Sequence, residues 1–131
     1  MEKLKRIMIG DKTYPFKIDL NVLEELQEQF GTVNEFERQL RGIRNMIGED
    51  GKYILGKDGK PMKYIGEPSI KAIKAVLPLA VNEGLAIEAE LENREMQPVE
   101  EEGIIRECTV PFTLLARMLL EEFKRCFETK K

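Results

Sequence analysis

The chain has 131 residues, 42% of them hydrophobic, which fits a single domain over residues 1–131 whose core needs neither disulfides nor metal. Its charged residues are mixed in sign and sum to −3, and Trp is absent, so the sequence lacks the basic surface and the rings expected of a nucleic-acid-binding protein. Histidine is also absent, which removes the commonest general base and metal ligand, so we expect no enzymatic activity, no metal and no cofactor.

A β-hairpin is predicted first, over residues 4–19. Apolar side chains alternate with polar ones along both strands, which is the period of a half-buried sheet. These side chains are Ile7, Ile9, Tyr14, Phe16 and Ile18. Gly10-Asp11-Lys12 supplies the turn, and Pro15, which has no amide hydrogen, marks the second strand as an edge.

Two capped helices are predicted next, over about residues 21–30 and 33–47. Asn21 with Glu24 has the spacing of a capping box, and Gly31 favours an end to the first helix. Thr32 with Glu35 repeats the box and begins the second helix. Each segment carries apolar residues at helical spacing, so one face of each helix is expected to pack in the core.

The middle of the chain predicts a second hairpin and a third helix. Asp58-Gly59 lies between two short apolar runs, which indicates an exposed β-hairpin inserted at about 52–65. We recognise no internal repeat. A helix is expected at 69–83, with a kink or a restart at Pro78, and Gly84 is expected to end it or to mark a second bend.

The last third predicts a mobile loop at about 92–108 and a final helix at about 110–127, with Pro111 in its first turn. The predicted fold is therefore α+β, mostly α: an N-terminal β-hairpin followed by a small helical domain.

Carboxylates are dense at Glu88–Glu95 and Glu100–Glu102, but we interpret them as solvated faces rather than as an active site.

Apolar residues within or beside the expected mobile segment are the candidate partner-binding residues. They follow a glycine break or flank the acidic run without strand or helix periodicity, so they have less reason to belong to the core. The candidates are Leu85, Ile87, Val99, Ile104, Ile105 and Val110.

The sequence predicts a cytoplasmic setting and no membrane partner. A helical segment between Cys108 and Cys126 would separate them by roughly 27 Å, so both thiols are expected to be reduced. The N-terminus MEKLKRIMIG has no apolar stretch of the signal-peptide kind. The longest uncharged apolar run, residues 75–81, is far shorter than the roughly 20 residues of a membrane span.

The first part of the chain follows a distinctive pattern: a strand, a tight turn, a strand with Tyr-Pro-Phe, and then Asp-Leu-Asn-x-Leu-x-x-Leu-x-x-x-Phe-Gly. The pattern is carried by Ile7, Ile9, Gly10, Lys12, Tyr14, Pro15, Phe16, Asp19, Leu20, Asn21, Leu23, Leu26, Phe30 and Gly31. In this pattern the chain resembles the tail assembly chaperones of long-tailed, siphovirus-like bacteriophages and prophages. Residues 69–84 also resemble the third-helix region of such proteins, so the likeness covers roughly the first 40 residues and 68–87.

The resemblance implies a non-enzymatic role in virion assembly. Such chaperones coat the tape measure protein, keep it soluble, and recruit tail tube subunits before leaving the structure. The implied setting is the cytoplasm of the bacterial host and not the mature virion, and a homo-oligomer is left open. Such proteins often have a longer frameshifted product, so Lys130 and Lys131 are expected to lie at a slippery site.

Two other interpretations are left open by the sequence. One is a structural phage component, such as a head-tail connector or a minor tail protein, which would stay in the particle. The other is an enzyme that uses carboxylates alone. The absence of histidine and the flexible, solvated character expected of the acidic runs weigh against the enzyme.

Overall fold

The computed structural model describes residues 4–128, and the predicted α+β, mostly α class is confirmed there. Its two sheets are antiparallel pairs, β1 with β2 and β3 with β4. The predicted slippery site at Lys130 and Lys131 lies outside the described residues. In chain order the elements are β1 (Lys5–Ile9), β2 (Lys12–Phe16), α1 (Leu20–Phe30), α2 (Val33–Arg41), β3 (Ile43–Asn45), β4 (Lys63–Ile65), α3 (Ile70–Leu91), α4 (Glu101–Glu107) and α5 (Phe112–Arg125).

The N-terminal hairpin packs directly on the middle of α3. The Lys17 amide donates to the Ala80 carbonyl at 2.9 Å, just beyond the end of β2. A Cβ at position 84 would lie 2.6 Å from the Pro15 carbonyl carbon, so only glycine allows the strand and helix to approach this closely. Gly84 therefore lies inside a helix that runs to Leu91, and the prediction that α3 ends near it is wrong.

The helix termini partly follow the predicted capping. Thr32 caps α2 and accepts from the Glu35 amide at 3.0 Å, as predicted. α1 is capped by Asp19 rather than Asn21, because the Asp19 carboxylate accepts from the two amides that follow Leu20. α2 ends at Arg41 instead of residue 47, since Gly42 adopts a left-handed conformation that ends the helix.

The core lies between the N-terminal hairpin and the helices. Phe36 is at its centre, with ring centroids 5.4 Å from Phe30 and 5.5 Å from Phe123. α3 adds an apolar stripe that includes Ile73, Val76 and Leu77, all buried. Among the described residues, nothing between Leu40 and Ala72 belongs to this core. The chain from β3 to the start of α3 therefore lies outside it.

A buried ion pair holds α5 against the end of the hairpin. Glu122 is 1% exposed, and its carboxylate accepts from the Ile18 amide at 2.9 Å and from Arg125 at 2.6 Å. Arg125 also donates to the Ile18 carbonyl at 3.0 Å. Burial alone would raise the pKa of Glu122, but the hydrogen bonds from Arg125 and Ile18 outweigh it and hold that pKa below its ordinary value.

Candidate partner-binding arm

Residues 43–66 form a projection, here called the arm, that leaves the fold after Gly42 and returns to it before Glu67. The arm contributes nothing to the described core. The predicted second hairpin is confirmed as an antiparallel pair. The predicted bounds of about 52–65 are wrong, because the paired strands are Ile43–Asn45 and Lys63–Ile65. Between them, Tyr53 and Leu55 form only isolated bridges.

Three backbone hydrogen bonds close into a ring inside the arm. The Ile54 amide donates to the Met46 carbonyl at 3.0 Å, and the Met62 amide donates to the Ile54 carbonyl at 2.8 Å. The Met46 amide completes the ring by donating to the Met62 carbonyl at 2.8 Å. Each of the three chain segments is thus bonded to both others, so the backbone is fixed without a buried apolar core.

The three residues of the ring lie eight positions apart in the sequence because the same turn occurs twice. Gly48–Lys52 and Gly56–Lys60 share the sequence Gly-x-Asp-Gly-Lys and the same hydrogen bonds. In each turn the aspartate carboxylate accepts from the lysine amide at 3.0 Å. The second glycine of each turn, Gly51 or Gly59, has a φ near +80°. The chain therefore contains an internal repeat, and the expectation that it has none is wrong.

The arm carries much of the exposed apolar surface of the described protein. Seven of the fourteen exposed large hydrophobic side chains lie on it. They are Ile47, Tyr53, Ile54, Leu55, Met62, Tyr64 and Ile65. The arm also has five basic and three acidic side chains, so it is positive in a chain whose net charge is −3. A hydrogen-bonded backbone thus presents apolar and basic side chains to solvent, a combination typical of interaction surfaces.

The six candidate partner-binding residues lie elsewhere, and the structure does not expose them. Ile104 is 4% exposed and belongs to the core, so its predicted place in a mobile loop is wrong. Leu85, Val99, Ile105 and Val110 are half-buried against the core, and Ile87 is half-buried in α3.

The expected mobile segment at 92–108 is shortened by α4, which lies against α3. The Val99 amide donates to the Asn82 side chain at 2.8 Å, which holds the irregular segment before α4 against α3. These contacts explain why the apolar residues of this segment are covered. Their lack of strand or helix periodicity reflects irregular backbone rather than exposure.

Three carboxylates of the acidic runs, Glu88, Glu92 and Glu102, take part in ion pairs. Glu88 pairs with Arg6 and Arg94, and Arg94 also pairs with Glu92. Across residues 4–128, no three side chains of His, Cys, Asp or Glu converge to hold a metal ion. Both cysteines are free thiols, and burial raises the pKa of the Cys126 thiol, which makes a reactive thiolate less available.

Two further carboxylates have shifted pKa values with structural causes. A hydrogen bond from Arg38, supported by one from Gln39, lowers the pKa of Glu35 to about 2. The pKa of Glu83 is raised by its hydrogen bond with Asp19, by burial of its carboxyl group, and by the negative charge of Asp19. Asn21 donates to the same Glu83 carboxylate at 3.0 Å, so this pair lies beside the α1 cap. Both shifts arise from contacts that organise helices.

Comparison with protein families, curated proteins and solved structures returns no match for this chain. None of the helices in residues 4–128 combines the length and apolarity that a membrane crossing requires. The sequence signal for the arm is the repeated Gly-x-Asp-Gly-Lys with apolar residues between its copies.

Proposed function

We propose that this protein is a non-enzymatic tail assembly chaperone that binds the tape measure protein of a long-tailed phage. The observation that carries the proposal is the arm: it exposes half of the large apolar side chains on the described surface and adds nothing to the core. Exposed apolar residues on a structurally ordered projection are costly unless a partner covers them. The resemblance of the hairpin and α1 to tail assembly chaperones supplies the identity of that partner.

The arm suits the reversible masking of a long, largely helical partner. Tyr53 and Tyr64 offer amphipathic contact area at a small cost in conformational entropy, and Met62 offers an adaptable one. Because the backbone ring fixes the arm in advance, binding does not have to order this segment. Coating of the partner in this way keeps its apolar faces from aggregating.

In this proposal the chaperone also recruits tail tube subunits and then leaves. It acts in the cytoplasm of the bacterial host and is missing from the mature virion. A structural component such as a head-tail connector or minor tail protein would instead remain in the particle. The two roles therefore differ in a quantity that can be measured directly.

The test has two parts. Affinity-tagged protein is expressed with the tape measure and tail tube proteins of the same phage, and captured complexes are identified by mass spectrometry. We expect both proteins to be captured and the chaperone to be absent from purified particles. Failure to capture the tape measure protein overturns the proposal, and a stoichiometric amount of this chain in mature particles favours the structural component.

A further inference from the structure

A groove separates the base of the arm from α5 and is distinct from the tip of the arm. Its volume is about 440 Å³. The apolar part of its lining comes from α2, both arm strands, the chain before α3, and α5. These residues are Leu40, Ile43, Ile65, Pro68, Ala116 and Leu120. Ile65 is 81% exposed, so an apolar side chain stands at the edge of the groove with little protein covering it.

One face of α5 forms a wall of this groove. Thr113, Ala116, Arg117 and Leu120 all line it, and their spacing of three, four and seven residues places them on one side of the helix. Thr113 and Ala116 are small, which leaves room for another helix to approach closely. The opposite side of α5 packs in the core through Leu119 and its neighbours.

The charges at the groove have one sign. Arg41 and Arg117 line it, and no carboxylate does among the described residues. Arg41 is paired with Glu37 at 2.7 Å, whereas Arg117 makes no ion pair within residues 4–128. Arg44, on the adjoining strand, donates to the Glu67 backbone carbonyl at 2.8 Å. An occupant with carboxylates would therefore meet unpaired positive charge.

We propose that this groove binds an amphipathic helix of a partner protein, with its apolar side chains on the groove floor and carboxylates facing Arg117 and Arg41. The inference rests on the proposed function in taking the tape measure protein as that partner. Helices dock into such grooves through apolar anchors three or four residues apart. Charge complementarity then selects acidic segments over basic ones.

A second copy of the chain is the less suitable occupant. Each of α1, α2, α3, α4 and α5 already buries apolar side chains in its own core. α4, in the most acidic part of the chain, is only seven residues long and buries Ile104. The described residues thus offer no free acidic amphipathic helix for the groove of a neighbouring molecule.

The probes are two labelled amphipathic peptides of Leu and Ala, one with Glu and the other with Lys at the polar positions. Fluorescence anisotropy with the full chain at low salt is expected to give about tenfold tighter binding of the acidic peptide. Raising the salt concentration should reduce this preference because the arginines lie near solvent. Equal binding of the two peptides overturns the proposal.

Two variants locate the binding to the groove. Arg117→Glu should weaken binding of the acidic peptide about tenfold, while Lys124→Glu, the same charge change on α5 outside the groove, should leave it unchanged. Ile65→Asp should also weaken it, and Leu20→Asp, at 82% exposure on α1, is its matched control. Circular dichroism confirms that each variant is folded. If a variant changes the sedimentation of the protein without peptide but does not change peptide binding, the groove binds a second copy of the chain. That result would overturn the proposal.

The same variants separate this inference from the proposed function. If wild type and Arg117→Glu capture the tape measure protein equally, the groove assignment fails and the chaperone function stands. If neither captures it but the acidic peptide binds with the expected dependence on Arg117, the chaperone function fails and the groove assignment stands.

Discussion

The Gly66 amide donates a hydrogen bond to the Gly42 carbonyl at 2.8 Å, which brings the two ends of the arm together at its base. The chain that enters the arm and the chain that leaves it are therefore adjacent in space. Since none of the intervening residues belongs to the described core, the arm is an addition to a domain that is complete without it.

Excision of the arm is expected to leave the domain folded. In this variant a short Gly-Ser linker replaces residues 44–65, where the ends already meet. The helical circular dichroism signal and a cooperative thermal transition should persist, with a melting temperature within a few degrees of wild type. Loss of cooperative unfolding would show that the arm stabilises the domain. The arm would then have a structural role that explains it without a partner.

Gly84→Ala is expected to destabilise the protein, although alanine is the better helix former. In an open helix this change gains up to about 1 kcal/mol. Here the new Cβ would lie 2.6 Å from the backbone of Pro15, so β2 and α3 must separate. We expect a net loss of about 2 kcal/mol or more in the free energy of unfolding, measured with urea. A stabilised variant would contradict the close contact between the hairpin and α3.

Glu122→Gln is expected to lower stability by about 2–4 kcal/mol at pH 7, because the charged hydrogen bond with Arg125 is lost in a buried setting. The pKa of Glu122 is lower in the folded than in the unfolded chain. Its ionisation therefore contributes stability above the ordinary carboxyl pKa, and this contribution is lost as the pH falls through the folded value.

The difference between wild type and Glu122→Gln should accordingly shrink in urea titrations at acid pH. Glu121→Gln is the matched control, since Glu121 is the exposed neighbour on the same helix. It should change stability by less than about 0.5 kcal/mol at either pH. A Glu122→Gln effect that does not depend on pH would mean that packing, and not the carboxylate charge, explains the loss.

Sequence patterns predicted those elements of the fold that depend on interactions between residues close together in the chain. The alternation through Ile7 and Ile9 predicted β1, and the Thr32 hydroxyl predicted the start of α2. Both depend on residues within a few positions of one another. Gly84 could not be interpreted in the same way, because what it accommodates is the Pro15 backbone, far away in sequence.

The backbone ring of the arm and the burial of Ile104 could not be predicted for a related reason. The ring through Met46, Ile54 and Met62 joins backbone groups at a spacing of eight residues, which is neither the strand period nor the helix period. Ile104 lies in a short helix rich in glutamate, whose burial depends on its contact with α3. Half of the exposed large apolar side chains of the described protein therefore lie on the arm, and none lies within residues 92–108.

Co-expression of the tape measure protein with wild-type or arm-excised chain tests the central claim most directly. The measured quantity is the fraction of tape measure protein that stays in the supernatant after centrifugation, with both forms of the chain at equal levels. The wild type should raise this fraction severalfold, and the folded, arm-excised form should not. Equal solubilisation by the two forms would contradict the claim that the arm binds the tape measure protein.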